Sequence, residues 1–194
     1  MADFVGKNFR GMMAGLQENY HFQMPENELE DYVNREVDEV IKAIKAQAVE
    51  CEGATQQVQW AMNQQYKMAV VSSSAGPRVE ASVKRVQMDK YFPKDRIYSA
   101  ATSLPEPTSK PNPAIYKFAM QELGVYCEEC VAIEDSKSGA GAAVAANIPT
   151  IAYVGASPPH ERDDLAKKLK DTGCKTRMDH WSEFPRVLKE MQDL

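Results

Sequence analysis

Long hydrophobic runs are missing from this chain. No apolar stretch approaches the roughly 18–20 residues needed to cross a bilayer, which excludes a helical membrane span. The opening residues, Met1-Ala-Asp-Phe-Val-Gly-Lys7, contain no apolar core of a secretory leader. Cysteine is scarce: 4 residues in 194 cannot form a disulfide scaffold, so a reducing cytoplasm is the expected compartment. A surplus of basic charge is absent as well, because 23 Lys and Arg are intermixed with 28 Asp and Glu for a net charge of −5. A nucleic-acid platform needs a concentrated basic face, so no nucleic-acid partner is expected, and no membrane partner either. Internal repeats and low-complexity segments are also lacking. What remains, 43% hydrophobic and 26% charged, is an ordinary globular composition. It suits one domain, or one domain with a small appendage.

The pattern changes near Gly53. Before it the sequence is helical and polar. Leu29, Val33, Val37, Val40, Ile41 and Ile44 recur at spacings of three and four, one apolar stripe on a long helix. Pro25 and the acids Glu26, Glu28, Glu30 and Asp31 mark its start, where the helix dipole favours negative charge. A shorter helix over 9–20 precedes it, weakened by Gly11 and Gly15. After Gly53, strands at 68–71, 97–99, 130–133, 150–154 and 175–178 alternate with helices at 77–87, 113–123, 139–146, 161–170 and 182–191. Short apolar strands alternating with helices predict an α/β fold, a Rossmann-like parallel sheet with helices on both faces. The division is 1–52 and 53–194. The proline-rich stretch 104–113 is expected to be extended, since proline restricts itself and its predecessor.

In open parallel sheets, ligands gather at the carboxyl ends of strands, and three polar segments fall there. Ser72-Ser-Ser74-Ala-Gly76 follows a strand and precedes a helix. It reads either as a Ser-rich helix cap or as an anion site of hydroxyls and free N–H groups. Lys110 sits on a proline-stiffened loop, a point charge for phosphate or a solvated surface lysine. Glu134-Asp135 follows a strand and precedes a Gly-rich turn. The two are a pair of oxygen donors for Mg²⁺, or a polar loop whose Asp caps the next helix. Cys127-Glu-Glu-Cys130 has redox or half-zinc spacing, but with no second pair, and with Cys130 entering a strand, structural cysteine is the better reading. The three histidines have no metal-like spacing, and Trp60, on a helix, is read as core packing.

The ordered set Met68-Ala-Val-Val-Ser-Ser-Ser74, Ser109-Lys-Pro-Asn-Pro-Ala-Ile-Tyr116 and Val131-Ala-Ile-Glu-Asp-Ser-Lys-Ser-Gly139 resembles the haloacid dehalogenase superfamily. Within it, the set resembles the β-phosphoglucomutase-like and phosphosugar phosphatase branch. The resemblance implies that Ser72, helped by the Ser73 N–H, binds the transferring phosphoryl group. Lys110 would neutralise it, while Glu134 and Asp135 would hold Mg²⁺ directly or through water. The implied substrate is a small phosphorylated metabolite. The segment 1–52 would be part of a helical cap, with Lys7, Asn8 and Arg10 as loose matches to substrate-touching residues.

The superfamily's chemistry starts from an Asp-x-Asp at the end of a first core strand, and no Asp-x-Asp occurs here. The resemblance therefore implies a fold without its first core strand and a chain that is inactive or very weak as a phosphatase. Two accounts stand: an incomplete version of a longer enzyme, or a non-catalytic protein that binds a ligand or partner. The first strand lies mid-sheet in the family. Strands two places apart are about 9–10 Å from each other and cannot pair across a gap. The expectation is that the strands at 68–71 and 130–133 close up and pair directly, or that another segment fills the gap, including one from a second copy of the chain.

Overall fold

The computed structural model describes residues 9–192. Lys7 and Asn8 lie outside that range. Two helices, α1 (Phe9–Tyr20) and α2 (Glu26–Gln47), come first. Pro25 precedes α2 with extended backbone, and the expected stripe Val33, Val37, Val40, Ile41 and Ile44 is half-buried while the positions between it are mostly exposed. Leu29 is the buried residue of α2. This face lies against α4 (Gly76–Arg85), which presents the buried Val79 and Val83, and an ion pair between Glu36 and Arg78 links the two helices.

The next helix, α3 (Ala54–Asn63), follows Gly53, whose φ of 82° is left-handed and suits glycine. Trp60 lies on this helix. Its ring meets Phe184 edge-on at 5.9 Å, the packing role expected of it.

The remaining elements alternate as anticipated: β1 (Val70–Ser72), α4, β2 (Ile97–Ser99), α5 (Ala114–Leu123), β3 (Ala132–Glu134), α6 (Lys137–Ala145), β4 (Thr150–Tyr153), α7 (Arg162–Thr172), β5 (Thr176–Met178) and α8 (Phe184–Gln192). Gly124, at φ 61°, ends α5 as its sequence position suggested. β4 is buried throughout, as a strand covered on both faces must be. Two apolar clusters, around Ala140, Val154 and Leu169 and around Ile151, Met178 and Val187, hold helices on its two sides.

Three expectations need correction. All strands pair in parallel, but in two pieces, β1-β2 and β3-β4-β5; β1 and β3 do not close up and pair. The physical reason lies between them: the Lys110 ammonium bonds the Val71 carbonyl of β1 at 2.8 Å and the Glu134 carboxylate of β3, and a cavity of about 1300 Å³ beside it is lined by Val71, Ile133, Tyr153 and Trp181 together with polar loop residues. No described segment forms a strand there. Secondly, the proline-rich stretch is not extended. It turns at a cis Lys110-Pro111 peptide and closes through an Asn112 N–H to Ser109 carbonyl bond of 3.0 Å. Thirdly, Cys130 stops short of β3 and is only half-buried; its thiol donates to the Tyr126 carbonyl at 3.2 Å, and all four cysteines are free.

Candidate functional site

Ser72 and Glu134 are the last residues of β1 and β3, so both strands deliver their polar ends to one side of the fold. The Ser-rich turn does not cap α4. The N-cap residue is Ala75, with no side-chain hydrogen bond, which leaves the hydroxyls to other work. The Ser74 N–H donates to Ser72 Oγ at 3.1 Å, and Ser99 Oγ donates to the Ser74 carbonyl at 2.7 Å, fixing the turn from β2. Ser73 Oγ accepts the backbone N–H of Lys110 at 3.0 Å, tying the proline-rich loop to the serines.

Lys110 is no surface lysine. It is 8% exposed, with its ammonium donating to the Val71 carbonyl at 2.8 Å and to the Glu134 carboxylate. Glu134 is 7% exposed, and the same oxygen also accepts the Tyr116 hydroxyl. Burying a carboxylate is costly unless it is paired and hydrogen-bonded, and this one has both kinds of partner. Burial and the adjacent Glu134 charge push the Tyr116 phenol well above its ordinary range, so it stays a donor. Gly139 packs directly on Glu134, where any Cβ would overlap the carboxylate.

Asp135 does not cap α6 either. Ser136 does, accepting the Gly139 N–H at 3.0 Å, and Asp135 is left exposed at the cavity edge. For Mg²⁺ the donor chemistry fits in part. Asp135 offers a hard carboxylate and Glu134 retains one oxygen free of Lys110 and Tyr116. Among the described residues no cluster of three or more acidic, histidine or cysteine ligands occurs, so water and substrate oxygens would complete the coordination.

Ser72, Ser73, Lys110, Glu134 and Asp135 thus line one cavity. Arg10 does not join them. It bonds Glu26 at 2.9 Å and also Glu30, fastening α1 to α2. Sequence reasoning missed several lining residues. Lys137, Lys168 and Asp171 add charge, and Cys51 contributes a thiol from the turn before α3. Lys137 stands inside a quoted motif; the others carry no local signal, since distant elements deliver them. Tyr116 also stands inside a quoted motif, but nothing in its spacing announces that its hydroxyl reaches Glu134.

Two parallel half-sheets thus gather serines, a lysine and an acidic pair at their strand ends, and comparison with known proteins assigns the class. The profile of haloacid dehalogenase-like hydrolases matches residues 1–153, and the chain belongs to that family. It is 27% identical over 163 residues to a phosphorylated carbohydrates phosphatase of Thermotoga maritima, covering 84% of this chain and 70% of that protein. To the 6-phosphogluconate phosphatase of Escherichia coli it is 26% identical over 122 residues, covering 63% of this chain and 50% of that protein. The crystal structure of a haloacid dehalogenase family hydrolase from Deinococcus radiodurans, with bound phosphate and sodium, superposes with a TM-score of 0.71. It is 26% identical and covers 97% of this chain and 78% of that one. The chain spans about half the length of several of its curated relatives. Among the described residues, no helix is long and apolar enough to cross a membrane.

Proposed function

We propose that this chain binds the phosphate of a small phosphorylated sugar between Ser72, Ser73 and Lys110, in the manner of a Mg²⁺-dependent phosphomonoesterase, and that alone it turns over weakly or not at all. One observation carries the reading. The buried Lys110 ammonium is held between the Val71 carbonyl and the Glu134 carboxylate, beside serine hydroxyls that no helix cap consumes. An ammonium fixed in this way presents positive charge to an incoming anion without reorganising. The Ser72 hydroxyl and the Ser73 backbone N–H then bond phosphoryl oxygens. Asp135, with Glu134, would hold Mg²⁺, which when bound neutralises charge on those oxygens. The names of the relatives, phosphatases of phosphorylated carbohydrates and of 6-phosphogluconate, support a sugar phosphate as substrate.

Weak turnover follows from the carboxylates at hand. No Asp-x-Asp occurs in the 194 residues. Among the described residues the aspartates lining the cavity are Asp135 and Asp171, the first assigned to the metal and the second on α7. Without a placed nucleophile the phosphoryl group has no covalent acceptor.

The gap between the half-sheets supports a further part of the same reading. Ala132 donates to the Pro149 carbonyl at 3.0 Å, so in a parallel ladder the backbone groups of Ile133 point away from β4. The Ser72 carbonyl accepts the Ala100 N–H at 2.8 Å, so those of Val71 point away from β2. Both residues line the cavity; with the Val71 carbonyl held by the Lys110 ammonium, a strand from a second copy would find the Val71 N–H on one side and the Ile133 backbone groups on the other. Light scattering tests this: a dimer at micromolar concentration supports exchange of a strand between copies, and a monomer up to millimolar concentration refutes it. Calorimetric titration with inorganic phosphate, with and without Mg²⁺, tests the site. Binding that Mg²⁺ strengthens and Asp135→Asn weakens is expected, and absence of any binding refutes the site.

A further inference from the structure

The acid–base pair at the centre of the site has a third member to which neither motif nor comparison gives a role. Tyr116 touches both partners of the Lys110–Glu134 pair at once. Its hydroxyl donates to the Glu134 oxygen that Lys110 also holds, and its ring lies under the Lys110 ammonium, 4.9 Å from nitrogen to ring centroid. A cation over a ring face is attracted by the ring quadrupole, and a hydrogen bond to a carboxylate is among the stronger ones. One side chain therefore grips the anion through its hydroxyl and the cation through its face.

The fold places this residue with care. Asn112 Oδ1 accepts the Ala114 N–H at 2.9 Å and starts α5 directly after the Lys110 loop. Ile115, Tyr116 and Ala119 form the buried face of that helix. Tyr116 is 7% exposed, so its ring cannot swing away without opening the core. From the opposite side Gly139 presses on the Glu134 carboxylate with no Cβ between them. Glu134 is thus closed in by Gly139, Tyr116 and Lys110.

We infer that Tyr116 is a positioning residue for phosphate binding: it locks Glu134, and through Glu134 and its own ring it holds the Lys110 ammonium in the cavity wall. This rests on the phosphate reading of Lys110 given above. The alternative need for a tyrosine here, simple filling of the core, is met equally well by phenylalanine. The hydroxyl is what the inference concerns.

Tyr116→Phe keeps the ring and removes only that hydroxyl. In protein labelled with ¹³C-lysine, the Lys110 Cε–Hε signal, assigned by its loss in Lys110→Arg, is expected upfield of the other lysines because of the ring beneath it. In Tyr116→Phe that signal is expected to move toward the common lysine position, and inorganic phosphate is expected to bind about three- to tenfold more weakly, the loss of part of one charge-assisted hydrogen bond. An unshifted Lys110 signal in the wild type overturns the inference. So does a Tyr116→Phe protein that melts at a lower temperature while its Lys110 signal and phosphate affinity stay unchanged, since that is a packing role alone. Failure of the wild type to bind phosphate sinks the functional reading, and the Lys110 signal still decides whether the clamp exists.

Discussion

Replacing Gly139 by alanine sets two effects of opposite sign against each other, and the structure decides between them. Gly139 is the third residue of α6, where alanine is the better helix former by about 1 kcal/mol. By propensity alone the substitution stabilises. The new methyl, however, would fall inside the volume of the Glu134 carboxylate, touching both oxygens and the carbon between them. Glu134 cannot retreat freely, because Lys110 and Tyr116 hold it from the other side. Forcing an extra methyl into a packed site costs about 1–3 kcal/mol, and prising apart a buried ion pair adds to that, up to about 3–5 kcal/mol if one partner is stranded. Overlap wins, with a net loss of about 2 kcal/mol or more. For a chain of this size that lowers the melting temperature by about 4–8 °C. Gly141→Ala is the internal control, in the same helix, where the new methyl would meet Pro111 Cβ at 3.3 Å and little else. It should be within about 1 kcal/mol of neutral. Urea denaturation of both variants checks this. A Gly139→Ala protein as stable as Gly141→Ala would refute the packing of Gly139 on Glu134 and, with it, the rigidity claimed for the Lys110 site.

Other outcomes follow from the same contacts. Lys110→Met strands the buried Glu134 charge and should cost about 3–5 kcal/mol, whereas adding Glu134→Gln should restore much of that; additive losses in a urea double-mutant cycle would contradict the pairing. Burial, with the nearby Glu134 charge, pushes the Cys174 thiol up to about 11, whereas Cys51 is exposed. A disulfide reagent at pH 8 should therefore modify Cys51 first and Cys174 last, and mass mapping of the labelled peptides shows the order. The same thiol ties stability to pH. Below about 9 both folded and unfolded chains keep the proton, but between 9 and about 11 only the folded chain does, so stability should fall over that window. The fall should be smaller in Cys174→Ala.

Much of this molecule was legible in the sequence because its elements are locally consistent. The stripe on α2, the glycine that stops α5 and the buried run of β4 each obey one period or one stop signal, and each formed where expected. Strand ends were less legible. β1 and β3 run to Ser72 and Glu134, residues that composition assigns to loops, because backbone pairing and not side-chain polarity decides where a ladder ends. The division into two half-sheets went the other way from expectation. Pairing β1 with β3 would have bonded the outward Ile133 backbone groups, but the outward Val71 carbonyl is held by the Lys110 ammonium, whose loop is tied to Ser73, a tertiary constraint no local window contains. In the site, the motifs located Ser72, Ser73, Lys110, Glu134 and Asp135, and the structure brought all five to one cavity. The helix-cap alternatives for the serines and for Asp135 were settled only by geometry, through Ala75 and Ser136. Arg10 was drawn to Glu26 and Glu30 because opposite charges on adjoining helices satisfy one another first.

The central claim is that this polypeptide holds a phosphate-binding half-site without an effective phosphoryl acceptor. It is tested most directly by incubating the purified chain with Mg²⁺, an aryl phosphate and a panel of sugar phosphates, and measuring released phosphate alongside phosphate binding. Mg²⁺-dependent binding that Lys110→Arg weakens is expected, with release no faster than in a protein-free control. Robust release that Asp135→Asn abolishes would contradict it.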